Sequence, residues 1–374
     1  MKLKTGARFS PSRRSLLSGT AASSLAAVSA SFPMPAIAQA TRLSYTLSWL
    51  PTGQYAFVYM ARQLGFWKKR GLEVDITRGY GSMAAVQGIA TEKFDFGGAA
   101  TGAVILGDAR GLNLKMVGTQ GYDGGLCILV PANGPIKTPK DLAGKKIGVT
   151  AAGGDTPFLP AYCELAGVDY SSLAVVSLDS QIIEQSVING AVDCMIAFAM
   201  SSIPNFVTQN FPVRLLRFAD YGLNFYWVNT LVSASLMAKD PQRVADVQAG
   251  LMEGLKWSML NPEETVERHL KEQQELAITK NAKLFTELGV GMVAAINVAP
   301  EAEMHGLGYT DVQKIEQQSK LVQKSILKPN DPAPKPVDSY VVNLPHGVVT
   351  LTSAEWKMVR EKTAQYSKML GLTA

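Results

Sequence analysis

The sequence is poor in the residues that most catalytic and metal chemistries need. It has three cysteines, Cys127, Cys163 and Cys194, and three histidines, His269, His305 and His346, in 374 residues. No C-x-x-C spacing occurs, which removes the local signature of a zinc ribbon or a dithiol redox motif. An odd cysteine count leaves at least one thiol unpaired within the chain. The cysteines have apolar neighbours, as in Leu126-Cys127-Ile128, so buried free thiols are expected. No histidine has an H-x-H or H-x-x-x-H partner, and surface or capping roles are expected for all three. A G-x-S-x-G elbow and a Walker phosphate loop are both absent. No catalytic residue, cofactor or metal is therefore expected. Charged residues make up only 18% against 47% hydrophobic, which excludes a disordered polymer. After the N-terminal region no apolar run approaches the roughly 18 residues of a membrane span.

What is present begins with a charge imbalance. The formal net charge is +5, which at face value suggests an acidic partner such as nucleic acid. Residues 1–40 hold Lys2, Lys4, Arg8, Arg13 and Arg14 and no acidic residue. Setting these five aside leaves 31 basic residues, equal to the 31 acidic ones. The whole-chain argument for a polyanionic partner disappears, and no nucleic-acid partner is expected. The same forty residues show a basic stretch, a short Leu/Ala/Ser/Gly-rich segment over Leu16 to Ala30, and Ala36-Ile37-Ala38. That layout is a secretory signal, with cleavage after Ala38 or Ala40. Ser12-Arg13-Arg14-Ser15-Leu16-Leu17 resembles a twin-arginine export signal; an ordinary Sec signal is the alternative. A soluble protein of the bacterial periplasm is expected, meeting a membrane only through a partner.

The mature chain alternates strands and helices. Strands are expected at Leu43 to Trp49, Leu72 to Thr77, Phe94 to Phe96, Leu114 to Thr119 and Cys127 to Val130. Helices are expected at Gln54 to Leu64, Ser82 to Ala90 and Thr101 to Arg110. After Pro131 the alternation restarts with the strand Lys146 to Thr150 and the kinked helix Thr156 to Ala166. It continues through Val175 to Leu178, Ile182 to Asn189, Asp193 to Phe198, Ser202 to Gln209 and Val213 to Phe218. This order predicts an α/β architecture with a second unit able to hold its own core. From Lys239 the tail reads as mostly helical. Asp240-Pro241 and Asn261-Pro262 mark helix starts, and Thr310-Asp311-Val312-Gln313 and Thr352-Ser353-Ala354-Glu355 read as capping boxes. Trp356, Val359, Tyr366 and Met369 share a packing face of the last helix.

Two strand–glycine loop–helix junctions stand out. Gly81-Ser82 puts backbone N–H groups, and the Ser82 hydroxyl, at a helix start suited to a polar or anionic ligand; a self-contained cap by Ser82 is the alternative. Gly153-Gly154-Asp155-Thr156-Pro157 repeats the device in the second unit, with capping by Asp155 or Thr156 as the alternative. One junction per unit predicts a shared cleft beyond the C-terminal strand ends. Gly79-Tyr80-Gly81-Ser82-Met83-Ala84 also matches a relaxed dinucleotide fingerprint. It lies second in the β-α order and lacks a well-placed acidic partner, which keeps an exported NAD(P)-dependent oxidoreductase only as a minor reading.

Several segments together carry a family resemblance. They are Thr46-Leu47-Ser48-Trp49-Leu50-Pro51, Ala61-Arg62-Gln63-Leu64-Gly65-Phe66-Trp67, Phe94-Asp95-Phe96-Gly97 and Asp141-Leu142-Ala143-Gly144-Lys145-Lys146-Ile147-Gly148-Val149. In order and spacing the chain resembles periplasmic solute-binding proteins of the SsuA/THI5-like (NMT1-type) family, which spans nitrate, sulfonate, taurine and thiamine-pyrimidine-precursor binders. The resemblance implies a type II periplasmic-binding-protein fold: a first lobe from residues 41–130 and 225–374, a second from 131–224, and a hinge of two crossovers near Cys127–Pro131 and Phe225–Val232. It also implies a monomer, not an enzyme, that delivers a small molecule to an ABC transporter permease. The Asn and His that follow W-x-P in the pyrimidine branch are absent here, where Thr52-Gly53-Gln54-Tyr55 stands. The loops expected at the cleft carry Asp123 and Asp155, which suit amine, ring N–H or hydroxyl donors. Trp49, Tyr55, Tyr122 and Phe158 lie near those loops and could stack on a planar ligand, with core packing as the alternative. The expected ligand site is thus Trp49, Tyr55, Gly81, Ser82, Tyr122, Asp123, Gly153, Gly154, Asp155, Thr156 and Phe158. The expected cargo is a nitrogen heterocycle or aromatic, with a sulfonate, nitrate or carboxylate as the alternative.

Overall fold

The computed structural model describes residues 40–151 and 153–372. The export-signal reading falls on residues 1–40 and so lies outside the described residues, apart from Ala40. Among the described residues, ten strands form two five-stranded sheets. The first contains β1 (Thr41–Thr46), β2 (Leu72–Thr77), β3 (Phe96–Ala100) and β4 (Leu114–Thr119). The second contains β5 (Leu126–Pro131), β6 (Lys146–Val149), β7 (Ala174–Ser177), β8 (Cys194–Phe198) and β9 (Val213–Arg217). The chain then returns to the first sheet as β10 (Val228–Ser233).

The sheet orders are β2-β1-β3-β10-β4 and β7-β6-β8-β5-β9. In each, β1 or β6 pairs in parallel with both neighbours, and the fourth strand is antiparallel to the strands beside it. That fourth strand is in each case the one that follows a crossover. The chain therefore passes between the sheets twice, through residues 120–125 and 218–227. The first passage precedes the position read from the sequence, and the second begins before it and overlaps it at Phe225–Trp227. Cys127–Pro131 and most of Phe225–Val232 are ladder strands, not hinge. Their apolar, β-prone residues are buried on both faces, as an interior strand requires. The polar pair in β10 is satisfied locally. Asn229 donates to the Thr101 hydroxyl at 2.6 Å, and Gln120 donates to the Thr230 hydroxyl at 3.0 Å.

The helices follow the expected signals with three corrections. Gln54 to Leu64 is a short 3-10 turn, Gly53–Tyr55, followed by the α-helix Ala56–Gln63. Asp311, not Thr310, caps Val312–Ser325, accepting from the Gln313 N–H at 2.9 Å. Asn261 supplies no side-chain cap to Pro262–Glu272. The Asp240 cap and the Thr352–Glu355 capping box are present. The three cysteines are buried free thiols. Among the described residues no helix is long and apolar enough to cross a membrane.

The tail braces the first sheet through close helix packing. Helix Pro241–Leu260 lies against Ala56–Gln63 at Gly254 and against Trp67 at Gly250. A Cβ on Gly250 would sit 2.3 Å from Trp67 Cδ1, and one on Gly254 would sit 2.5 Å from the Phe57 carbonyl oxygen. Backbone cannot rotate out of the way as a side-chain tip can. Gly254→Ala is therefore expected to destabilise by about 2 kcal/mol, overpacking outweighing the helix-propensity gain of about 1 kcal/mol. Urea unfolding measures it, and a variant more stable than the parent would disprove the close packing.

Candidate ligand-binding cavity

A cavity of about 40 Å³ lies between the two sheets, at the C-terminal ends of β1, β3, β6 and β8. Each wall follows from local structure. β1 ends at Thr46, and the next turn brings Ser48 and Trp49 to the cavity. The Ser48 and Tyr55 hydroxyls are 2.5 Å apart, which fixes the Tyr55 ring against Trp227. Those two rings stack with centroids 5.6 Å apart at 24° and form an aromatic wall. Ser82 opens the helix Ser82–Ala90, and its hydroxyl accepts the Ala100 N–H at 3.1 Å. This ties the helix start to the end of β3; the Ser82 hydroxyl does not cap its own helix, the alternative read from sequence.

The second sheet supplies the loop after β6. Asp155 folds back over Gly153, where a Cβ would lie 2.1 Å from Asp155 Oδ1. Oδ1 accepts the Thr156 N–H at 2.9 Å. Gly154 meets the other sheet's loop directly, since its Cβ would lie 2.9 Å from Ser82 Cβ. Glycine at both positions is what lets the loop close on Ser82. Glu184, in the first turn of Ile183–Ile188, accepts the Ser202 hydroxyl at 2.9 Å. Ser201 donates to Gln54 Oε1 at 3.0 Å and joins the two halves across one rim.

The electrostatics of the cavity are one-sided. Its lining includes Asp155 and Glu184 and no Lys, Arg or His. Burial pushes the Asp155 carboxyl up to about 6 and the Glu184 carboxyl upward, against the opposing pull of their neutral hydrogen-bond donors.

Six of the expected site residues line this cavity: Trp49, Tyr55, Ser82, Gly153, Gly154 and Asp155. Five do not. The Gly81 N–H is already donated to the Ser48 carbonyl at 3.0 Å. The Thr156 hydroxyl is donated to the Thr150 carbonyl at 2.7 Å. Tyr122 and Asp123 belong to the first crossover and are tied down there. Tyr122 donates to the Tyr309 carbonyl at 2.9 Å, and Asp123 pairs with Arg217 at 3.1 Å. Phe158 is buried against Phe225, with ring centroids 4.7 Å apart. Reading the sequence missed Glu184, Ser201, Ser202, Trp227 and the end of β8. Two signals were available: the strand-end rule applied equally to Ala197-Phe198, and Phe225-Tyr226-Trp227 is a run of three aromatics beside a crossover.

The glycines of the dinucleotide-like stretch have structural work. A Cβ on Gly79 would lie 2.3 Å from the Leu47 carbonyl oxygen, and Gly81 has φ +121°. The strand before them, β2, is at the edge of a mixed sheet, whereas a dinucleotide motif follows the first, interior strand of a parallel one.

Residues 52–265 match the NMT1/THI5-like family. The chain belongs to that family. Among family relatives, it is 22% identical over 231 residues to the formylaminopyrimidine-binding protein of Halalkalibacterium halodurans, covering 61% of this chain and 70% of that one. It is 24% identical over 278 residues to the riboflavin-binding protein RibY of Chloroflexus aurantiacus, covering 73% and 77%. In structure it is similar to the alkanesulfonate-binding protein SsuA of Xanthomonas axonopodis pv. citri bound to MOPS. That match has TM-score 0.62 and 16% identity and covers 81% of this chain and 98% of that one. The aliphatic sulphonate binding protein SsuA of Escherichia coli superposes with TM-score 0.60 at 16% identity, covering 83% and 94%. The family chain thus has the type II periplasmic-binding-protein fold.

Proposed function

We propose that this chain is the extracytoplasmic substrate-binding component of an ABC importer. As a periplasmic monomer it captures a small planar organic compound, a nitrogen heterocycle or aromatic, and hands it to a permease without chemical change. Residues 41–119 and the returning tail act as one lobe, and 126–217 as the other. The segments 120–125 and 218–227 act as the hinge, and the ligand favours closure because the closed cavity offers contacts from both lobes.

The observation that carries this reading is the cavity's composition: Trp49, Tyr55 and Trp227 at one site with two carboxylates and no cationic side chain. Flat aromatic surfaces favour a flat ligand, and carboxylates favour one bearing N–H or O–H donors. The names of the formylaminopyrimidine- and riboflavin-binding relatives point the same way. A sulfonate or nitrate would meet carboxylates here in place of a counter-charge, which disfavours the ligand class of the sulfonate-binding structural neighbours.

Thermal-shift screening of pyrimidines, flavins, aromatic amines, alkanesulfonates and nitrate tests the class. A planar donor-bearing compound should raise the melting temperature, and Trp49→Ala should weaken its binding by about tenfold, the loss of one stacking face. Binding confined to aliphatic sulfonates or nitrate, unaffected by Trp49→Ala, would overturn the proposal.

A further inference from the structure

We infer that the cargo carries a positive charge, which Asp155 and Glu184 neutralise from two sides of the cavity. This rests on the cavity being the ligand site proposed above. The argument is one of missing counter-charges. Three carboxylate side chains are buried among the described residues: Asp108, Asp155 and Glu301. Asp108 has Lys335 Nζ at 3.3 Å, and Glu301 has Lys314. At the first crossover Asp123 has Arg217. Asp155, 6% exposed, has no ion-pair partner among the described residues.

Glu184, half-buried at the same cavity, likewise has no ion-pair partner among the described residues. Its hydrogen bond from Ser202 is neutral, as is the one Asp155 receives from the Thr156 N–H. Neutral donors orient a carboxylate but leave its charge uncompensated, and an uncompensated buried charge is costly. Elsewhere in this protein buried acids are supplied with a Lys. Here two acids share one cavity, and the space between its walls holds no base. Burial raises both carboxyls, as it does when no cation stands opposite. The remaining wall suits a cation as well. Tyr55, Trp227 and Trp49 line it, and aromatic rings attract ammonium, amidinium and protonated ring nitrogens. The ligand class is therefore a planar monocation: an amidine, a protonated aminopyrimidine or an arylalkylamine.

The probes are four near-isosteric ring compounds: benzamidine (cation), benzamide (neutral), and benzoate and benzenesulfonate (anions). Titration calorimetry of the full mature chain at neutral pH should show benzamidine binding at least about tenfold more tightly than benzamide, the worth of a charge-assisted hydrogen bond. The anions should give no heat. Glu184→Gln and Asp155→Asn keep the acceptor oxygens used by Ser202 and the Thr156 N–H, and each should weaken benzamidine about tenfold or more. Equal binding of benzamidine and benzamide overturns the cation inference but leaves the planar-ligand reading standing. Tight binding of an anion overturns both. If no probe binds, the ligand-free variants decide. Removing either uncompensated charge should raise the melting temperature at neutral pH, and a fall in both variants would show that the carboxylates are structural and overturn the inference.

Discussion

Lowering the pH from 7 to 4 is expected to cost the fold about 3 kcal/mol through one side chain, His269. The histidine reading from sequence was right in kind for His305 and His346, which are exposed, and wrong for His269, which is fully buried. It sits on helix Pro262–Glu272, edge-on to Tyr59 at 5.2 Å, with Nε2 3.0 Å from the Pro51 carbonyl oxygen. That contact makes Nε2 the protonated nitrogen, and Nδ1 is buried without a partner. A second proton on Nδ1 would therefore meet no acceptor. Burial holds the imidazole down at about 4, against an ordinary 6.5. Because the folded value is the lower one, the unfolded chain takes up the proton first. Stability is full above pH 6.5 and drains away as the pH falls toward 4. His269→Gln can still donate to Pro51 and does not titrate. Urea unfolding at a series of pH values should show the slope in this window reduced in the variant; an unchanged slope would clear His269 of the effect. Pro51 closes the loop that carries Trp49, so the same protonation is expected to loosen one wall of the cavity.

The opposite dependence comes from Asp155. Its folded value is raised from 3.8 to about 6, so its contribution is full below pH 3.8 and is lost as the pH rises through 6. Two buried groups thus pull in opposite directions over nearly the same window, and the parent protein should show a flatter profile than either group alone. Asp155→Asn in the same titration removes one of them and should steepen the acid-side loss.

What the sequence could and could not show follows from the range of each interaction. β2, β4 and the helix Ser82–Ala90 were readable to the residue, because local periodicity and turn residues set them. β3 was not. It was read as Phe94 to Phe96, and it runs Phe96–Ala100. Gly97-Gly98-Ala99-Ala100 has no β-branched or large residue, so its strand character is invisible locally. The reason for the small residues is tertiary: a Cβ on Gly97 would lie 2.6 Å from Thr46 Cγ2 and one on Gly98 2.9 Å from Val228 Cγ1. The strand is there because β1 and β10 hold it on both sides. The site divides in the same way. The glycine loops after β2 and β6 are visible as punctuation, and the Ser82, Gly153, Gly154 and Asp155 they carry line the cavity. Glu184 reaches the cavity from the helix between β7 and β8, and Trp227 from the second crossover; which walls these elements form depends on how the two sheets face each other, a long-range relation. Tyr122, Asp123 and Phe158 do not line the cavity for the converse reason: these loop residues are taken up by partners at the crossovers.

Phe158 leads to the second large effect: Gly102→Val is expected to weaken ligand capture by about ten- to a hundredfold while leaving the protein folded. Gly102 is in the first turn of helix Thr101–Ala109, directly after β3. The three atoms nearest to a Cβ there all belong to the Phe158 ring, at 2.2, 2.6 and 3.2 Å. Phe158 comes from the other half of the molecule, is 1% exposed, and is held by Phe225 on the second crossover. The ring therefore has no free space to turn into, and relief requires the two halves to separate at this point. Within its own helix valine is tolerated slightly better than glycine, so the first sheet and its helices should remain intact. The cost, about 1–3 kcal/mol for overpacking, falls on the arrangement in which Phe158 seats on Gly102. Calorimetry with a ligand found by screening reads the loss, and circular dichroism reads the retained fold. Phe158→Ala in the Gly102→Val background should return most of the affinity, since it removes the atoms that collide. Undiminished affinity in Gly102→Val would mean that capture does not require Phe158 to seat on Gly102.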